Sequence, residues 1–323
     1  MPSRPTIAVT RWIPDEALKV LREAGEVTVS REDRPLTRDE LHEFVAGASA
    51  VVGMLHDRLD GGLAAAAGPG LRVVSTVAVG YDNIDVPALT GRGVVVTNTP
   101  GVLTDATADL AFGLLLAVTR RLGEGERLLR GRTPWSFHLG FLLGSGLQGK
   151  TLGVVGLGQI GQAVARRARG FGMEIAYSGR RRADAGVERA LGARHLPVDE
   201  LLATADVVSL HCPLTPDTHH LIDAAALRSM KRAAFLVNTT RGPVVDESAL
   251  ADALEAGEIA GAALDVFEKE PEIEARLLDR NDVVLTPHLG SATVETRTAM
   301  AVLAARNVAS VLAGNGPLTE VPA

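Results

Sequence analysis

Three glycines set in a single strand–turn–helix frame constrain this chain more than any other feature of its sequence. Thr151-Leu152-Gly153-Val154-Val155 reads as a buried strand, and Gln162-Ala163-Val164-Ala165-Arg166-Arg167-Ala168 as a helix. Between them stands Gly156-Leu157-Gly158-Gln159-Ile160-Gly161. In such a frame the first glycine permits a tight turn, the second lets the backbone approach a pyrophosphate, and the third allows strand and helix to pack closely. The helix that follows offers unpaired N–H groups and a partial positive charge to phosphates. A glycine triplet alone says little in a chain with 34 glycines. Here strand and helix flank it correctly, so Gly156, Leu157, Gly158, Gln159, Ile160 and Gly161 are the candidate phosphate-binding residues of a dinucleotide site.

The rest of the chain agrees with that frame. Strand-like runs at Thr6–Thr10, Ala50–Leu55, Leu71–Thr76 and Gly93–Thr97 alternate with helical patterns at Asp15–Glu23, Thr37–Ala46 and Gly62–Ala67. Alternating strands and helices imply a parallel sheet covered on both faces. The turn Asn98-Thr99-Pro100-Gly101 ends this series, and a long helical pattern from Thr104 to about Gly131 follows. A second series carries strand-like runs at Thr151–Val155, Glu174–Ser178, Val207–His211, Ala234–Asn238, Gly261–Asp265 and Val283–Thr286. The last helical segment, Ser291–Ala313, is expected to return to the first domain. The expectation is therefore an α/β protein of two doubly wound, Rossmann-like parallel-sheet domains, the substrate domain being discontinuous. Its boundaries are residues 1–100 plus 291–323 for that domain and 101–290 for the dinucleotide-binding domain with its connecting helix.

Composition narrows the function classes. A net charge of −6 gives no global basic field, which argues against nucleic acid as the main partner. One cysteine, Cys212, excludes an internal disulfide and a multi-cysteine zinc site. No apolar run approaches the roughly 18 residues that a membrane span needs. Met1–Trp12 lacks the apolar core of a secretory signal. These features point to a reducing cytoplasm.

The cofactor is read at the end of the second strand of the dinucleotide frame. An NAD site places Asp or Glu there to hold the ribose 2′-OH. This chain has Ser178-Gly179-Arg180-Arg181-Arg182 instead. Arginine can meet a 2′-phosphate with two parallel hydrogen bonds. Ser178, Arg180 and Arg181 are thus cofactor candidates, NADP(H) is expected to be preferred, and NAD(H) remains possible.

Further polar residues stand at strand ends: Asn238-Thr239-Thr240-Arg241-Gly242, Asp265-Val266-Phe267-Glu268-Lys269-Glu270-Pro271 and Thr286-Pro287-His288-Leu289-Gly290-Ser291. Ligands of open α/β sheets bind beyond the carboxyl ends of the strands, so these segments are candidates for the reacting centre. Taken singly, Arg241 could be a surface ion pair, Glu270 a solvated loop residue and His288 a structural histidine. Metal ligation by His211, His219 and His220 is a weaker alternative, because no cysteine cluster or carboxylate pattern accompanies them.

Over essentially its whole length the chain resembles the D-isomer-specific 2-hydroxyacid dehydrogenase family. The stretches that carry the resemblance are Val79-Gly80-Tyr81-Asp82-Asn83-Ile84-Asp85, the glycine loop, His211-Cys212-Pro213-Leu214-Thr215, Asn238-Thr239-Thr240-Arg241-Gly242, Asp265-Val266-Phe267 and Pro287-His288-Leu289-Gly290. The resemblance implies that Arg241, Glu270 and His288 are catalytic, with no metal. It implies that Val79 and Gly80 grip the substrate carboxylate by backbone amides, and that Leu55, Trp135, Arg241 and Ser291 complete the substrate site. Thr104, Cys212, Pro213, Thr218, Thr239, Thr240, Asp265, His288 and Gly290 then join the cofactor set, and a homodimer is implied. Gly53-Met54-Leu55-His56-Asp57-Arg58-Leu59-Asp60 and Ser178-Gly179-Arg180 look most like the NADP-preferring glyoxylate/hydroxypyruvate reductases of the family. The activity implied is hydride transfer from NADPH to the C2 carbonyl of a small 2-oxoacid. The alternatives are another small 2-hydroxyacid dehydrogenase, a phosphite dehydrogenase, or a dinucleotide-sensing, corepressor-like binding protein.

Overall fold

The computed structural model describes residues 4–322, so residues 1–3 of the N-terminal stretch and residue 323 lie outside it. The chain forms two compact units, one containing the chain through Leu103 together with Ser291 onward, the other Thr104–Gly290.

In the first unit the strands are β1 (Thr6–Val9), β2 (Glu26–Val29), β3 (Ala50–Gly53), β4 (Val73–Thr76) and β5 (Val95–Thr97). They form a five-stranded parallel sheet in the order β2-β1-β3-β4-β5. In the second unit the strands are β6 (Thr151–Val155), β7 (Glu174–Ser178), β8 (Ala193–His195), β9 (Val207–Leu210), β10 (Phe235–Asn238), β11 (Gly261–Leu264) and β12 (Val283–Leu285). These make a seven-stranded parallel sheet ordered β12-β11-β10-β9-β6-β7-β8. The expected fold class, two doubly wound parallel-sheet units, is the fold observed.

Both sheets are covered on two faces, which is why their strands read as nearly unbroken apolar runs. In β10, Phe235 and Val237 enter one core cluster while Leu236 enters the other. Strand side chains alternate between faces, so each strand must supply apolar residues at every position. In the first unit the same division places Val51 and Val74 in one cluster and Ile7, Val9 and Val52 in the other.

Three elements differ from the sequence reading. The strands β2 and β8 were not anticipated. Both are short edge strands with partly exposed positions, and neither has the apolar run of a central strand. The pattern from Thr104 to Gly131 is two helices, Thr104–Thr119 and Leu122–Arg130. The break is marked by Arg121 in left-handed backbone (φ 54°). Its cause is a change of surroundings. The first helix buries Ala111, Leu114, Leu115 and Val118, whereas the second buries no residue. Ser145 then donates its N–H to the Thr119 carbonyl at 2.8 Å, taking up an acceptor at the helix end.

The final helix, Val294–Leu312, packs into the first unit through Ala301, Ala304, Ala305 and Val308. Its fully buried Asn307 ties down the tail that follows. The amide group donates to Leu303 O and Thr319 Oγ1, and its oxygen accepts from Leu318 N–H and Thr319 N–H at 2.9 and 3.0 Å. Asn307→Leu strands those two N–H groups in an apolar site and should destabilise the first unit by roughly 2–4 kcal/mol. Denaturant unfolding measures this, and a loss below about 0.5 kcal/mol would show that the tail is held by other contacts.

Candidate active site

The register of the second sheet brings the candidate segments to one edge. Val155 pairs with Ser178 on one side and Leu210 on the other, Asn238 pairs with Leu210 and Leu264, and Leu264 pairs with Leu285. The strand ends are therefore level. The segments that leave them begin at Gly156, Gly179, His211, Thr239, Asp265 and Thr286.

The glycine loop has the geometry its residue types demand. Gly156 has φ 95°, and a Cβ there would lie 2.7 Å from the His211 carbonyl oxygen. At Gly161 a Cβ would collide with the Gly156 carbonyl. Gly158, which caps the helix Gln159–Gly170, faces open space, with no heavy atom within 4 Å of where its Cβ would be. Backbone N–H groups at the start of that helix are thus open to a phosphate. Thr104 stands beside this loop, its hydroxyl 3.4 Å from Gln159 Oε1. The buried hydroxyl of Thr239 has no hydrogen-bond partner among the described residues. An open cradle at a helix start and a spare buried hydroxyl fit a dinucleotide.

At the end of β7, the three arginines divide. Arg182 makes paired hydrogen bonds to Glu188 (2.9 and 3.0 Å), and Tyr177 donates to the same carboxylate at 2.7 Å. Arg180 and Arg181 are exposed. The pairing of Arg182 with Glu188 is a product of the fold and is not marked in the sequence.

After β9, Cys212 is buried, and burial pushes its thiol up to about 11. Thr240 donates its hydroxyl to the Cys212 carbonyl at 2.5 Å. Thr218 closes the local turn, donating to Pro213 O at 2.7 Å and accepting from Thr215 N–H at 2.8 Å. His211 lies with Nε2 2.8 Å from Ser209 Oγ. The His219 and His220 rings lie with centroids 4.1 Å apart and planes tilted by 31°, and His220 Nε2 meets Glu268 Oε1 at 2.5 Å. No group of three His, Cys, Asp or Glu side chains able to hold a metal occurs among the described residues.

Arg241 stands in extended backbone after β10, with Nη1 donating to the Thr240 carbonyl at 2.8 Å. His288 has φ 53°, unusual for a residue with a side chain. Asp265 holds it there. The Asp265 carbonyl accepts the His288 N–H at 2.8 Å, and its carboxylate accepts from Thr286 Oγ1 (2.6 Å), Leu289 N–H (2.7 Å) and Gly290 N–H (2.8 Å). Burial raises the Asp265 carboxyl above its usual range, opposed by those same bonds. Glu270 then takes His288 Nδ1 at 2.9 Å and the Phe267 N–H at 3.1 Å. Fixing Nδ1 sets the ring plane and turns Nε2 to the opposite side.

The remaining candidates are placed separately. Leu55, Val79, Gly80 and Ser291 belong to the first unit, where Asn98 Nδ2 donates to the Val79 carbonyl at 2.8 Å. Trp135 is exposed in the second unit, stacked on Phe141 at 5.8 Å. Sequence reasoning passed over Glu247 entirely. This buried carboxylate accepts backbone N–H groups from Glu268 and Glu274.

Comparison with known proteins gives consistent results. Residues 112–290 match the family model described as the D-isomer specific 2-hydroxyacid dehydrogenase, NAD binding domain. The glyoxylate reductase of Thermococcus onnurineus is 47% identical over 98% of this chain and 96% of its own length. Among solved structures, the TT0316 protein from Thermus thermophilus superposes with a TM-score of 0.92 at 45% identity, covering 98% of this chain and 100% of its own. An NADPH-dependent glyoxylate/hydroxypyruvate reductase from Sinorhizobium meliloti, solved with NADP and malonate, gives 0.85 at 37% identity, covering 99% and 97%.

One electrostatic consequence concerns stability. Burial holds the His211 imidazole well below the usual histidine range, so the folded unit keeps it neutral, although part of the residue still reaches solvent. The unfolded chain takes up that proton as pH falls below about 6.5, and the folded chain does not, so stability declines with falling pH. A His211→Asn variant should lose less stability than the wild type over this window. Parallel denaturation curves for the two proteins would contradict the assignment.

Proposed function

The chain belongs to the D-isomer specific 2-hydroxyacid dehydrogenases, an oxidoreductase family, and on that premise we propose that it reduces glyoxylate or hydroxypyruvate to the 2-hydroxyacid with NADPH. The observation that carries this reading is the Glu270–His288 contact of 2.9 Å, built at the strand-end edge that also presents Arg241 and the glycine loop.

A bound nicotinamide supplies the hydride. Arg241 holds the substrate carboxylate with its planar fork of donors and polarises the adjacent carbonyl. As the C2 carbon receives the hydride, negative charge develops on the carbonyl oxygen. His288, oriented through Nδ1 by Glu270, donates a proton from Nε2 to that oxygen and completes the hydroxyl. In the reverse direction Nε2 takes the proton back. In the first unit, the backbone N–H groups of Val79 and Gly80, with Leu55 and Ser291, are the candidates for substrate contact, and in the second unit Trp135 is a further one.

Cofactor preference rests on the end of β7. It carries no carboxylate for a ribose 2′-OH, while Ser178, Arg180 and Arg181 offer a hydroxyl and two guanidinium groups. With Arg182 committed to Glu188, the 2′-phosphate falls to Arg180 and Arg181. NAD(H) then serves as the poorer cofactor. The single buried cysteine suits a reducing cytoplasm, and among the described residues no helix is long and apolar enough to cross a membrane. Leu122, Leu129, Trp135, Phe137, Leu139 and Leu143 are all exposed in one stretch, a surface suited to a homodimer contact.

The test is NADPH oxidation by the purified protein with glyoxylate, hydroxypyruvate, pyruvate and phosphite. Turnover with the first two is expected. NADPH binding without turnover of any of them would favour a dinucleotide sensor. His288→Ala should lower kcat by about 10²–10⁴-fold with NADPH binding intact, and unchanged turnover would remove His288 from its role. Arg180→Ala should raise KM for NADPH by about tenfold or more relative to NADH. An equal rise for both cofactors would contradict the 2′-phosphate assignment.

A further inference from the structure

Glu247 opens the helix Glu247–Glu255, directly after its capping residue Asp246. A glutamate in a first helical turn is ordinarily a solvated partner of the helix dipole. This one is 6% exposed. A carboxylate taken out of water at that depth is costly unless hydrogen bonds replace its hydration. Both its oxygens are engaged: Oε1 accepts the Glu268 N–H at 2.5 Å, and Oε2 accepts the Glu274 N–H at 3.2 Å.

The two N–H groups bracket the segment that carries Glu270. A single rigid side chain thus grips a loop on both sides of its functional residue. The carboxylates of Glu268 and Glu274 add to the effect of burial in raising the Glu247 carboxyl, so its seat is maintained against like charge by the two backbone bonds. Two other contacts press on the same loop. A side chain at Gly242 would overlap the Phe267 carbonyl and the Glu268 nitrogen, so the residue after Arg241 lies directly on that backbone. His220, in left-handed backbone (φ 50°), meets the Glu268 carboxylate. From Glu270 the chain of contacts passes to His288 Nδ1.

We infer that Glu247 is a positioning residue for the acid–base pair: by clamping residues 268–274 at both ends it fixes Glu270, and through Glu270 the ring of His288. This role rests on the oxoacid reductase reading of the site. It is separate from catalysis itself, because Glu247 reaches the centre only through the loop.

A double-mutant cycle with a structural readout tests the inference. Glu247→Ala should lower kcat for glyoxylate by about tenfold or more, with KM for NADPH changed less than about twofold, since a small displacement of a catalytic group costs rate and leaves the glycine loop intact. In the Glu270→Gln background the same substitution should change kcat by less than about twofold, because residues that act as one unit are not additive. Amide hydrogen exchange should accelerate across residues 267–274 and stay unchanged at β6. If the alanine variant does not fold, Glu247→Gln serves. It keeps one acceptor oxygen, presents an NH₂ group where the second N–H needs an acceptor, and should show the same pattern in smaller degree. A full loss of rate that persists in the Glu270→Gln background would overturn the inference. So would unchanged exchange at residues 267–274. Faster exchange there in a protein whose wild type turns over no 2-oxoacid would uphold the clamp and overturn the functional reading instead.

Discussion

The carboxylate of Asp265 lies buried at the end of β11 and accepts from the backbone N–H groups of Leu289 and Gly290 and from the Thr286 hydroxyl. The backbone carbonyl of the same residue accepts the His288 N–H. Four hydrogen bonds from one residue thus hold His288 in left-handed backbone, a conformation that costs a side-chain-bearing residue on the order of 1 kcal/mol or more. That backbone in turn aims Nδ1 at Glu270. Without the Asp265 hub the histidine would lie in a mobile turn, and its pairing with Glu270 would be one geometry among many.

The hub works because the sheet is parallel and its strand ends are level. In a parallel sheet every strand leaves at the same edge, so residues far apart in the chain emerge side by side. On the proposed reading, the loop after β6 is the one that takes the phosphates, and the loop after β10 presents the Arg241 guanidinium. The loops after β11 and β12 carry Glu270 and His288, the proposed acid–base pair. Each job falls to a separate connection, and the sheet fixes their spacing. Tight backbone contacts then lock neighbouring connections together. Gly156 lies against the segment after β9, and Gly242 against the segment after β11. No residue with a side chain fits either place.

What could be read from the sequence follows the same physics. The glycine loop was legible because each glycine answers a local demand: a positive φ, an open approach or a close packing contact. Central strands were legible because burial on two faces forces continuous apolar runs. The edge strands β2 and β8 carry no such signal, and the helix expected through Gly131 ended early because its apolar face stops at Val118. Arg241, Glu270 and His288 stood out as a set through the family resemblance and their strand-end positions, not individually. Glu247 was invisible, since its sequence context is that of an ordinary first-turn acid and only the folded loop above it supplies the two N–H groups. The partner of Arg182 was invisible for the same reason, Glu188 being brought in by the fold.

On the proposed reading, this edge of the second sheet directs a hydride onto the C2 carbon of glyoxylate while His288 supplies the proton. The most direct measurement follows the hydrogen itself. Wild-type protein is given NADPH deuterated at the transferring position of the nicotinamide ring, with glyoxylate in ordinary water, and the product is read by NMR. The expected product is glycolate carrying one deuterium on C2 for each NADPH oxidised, with the hydroxyl proton drawn from solvent through the protein. Oxidation of the cofactor with no deuterium on C2 would contradict it.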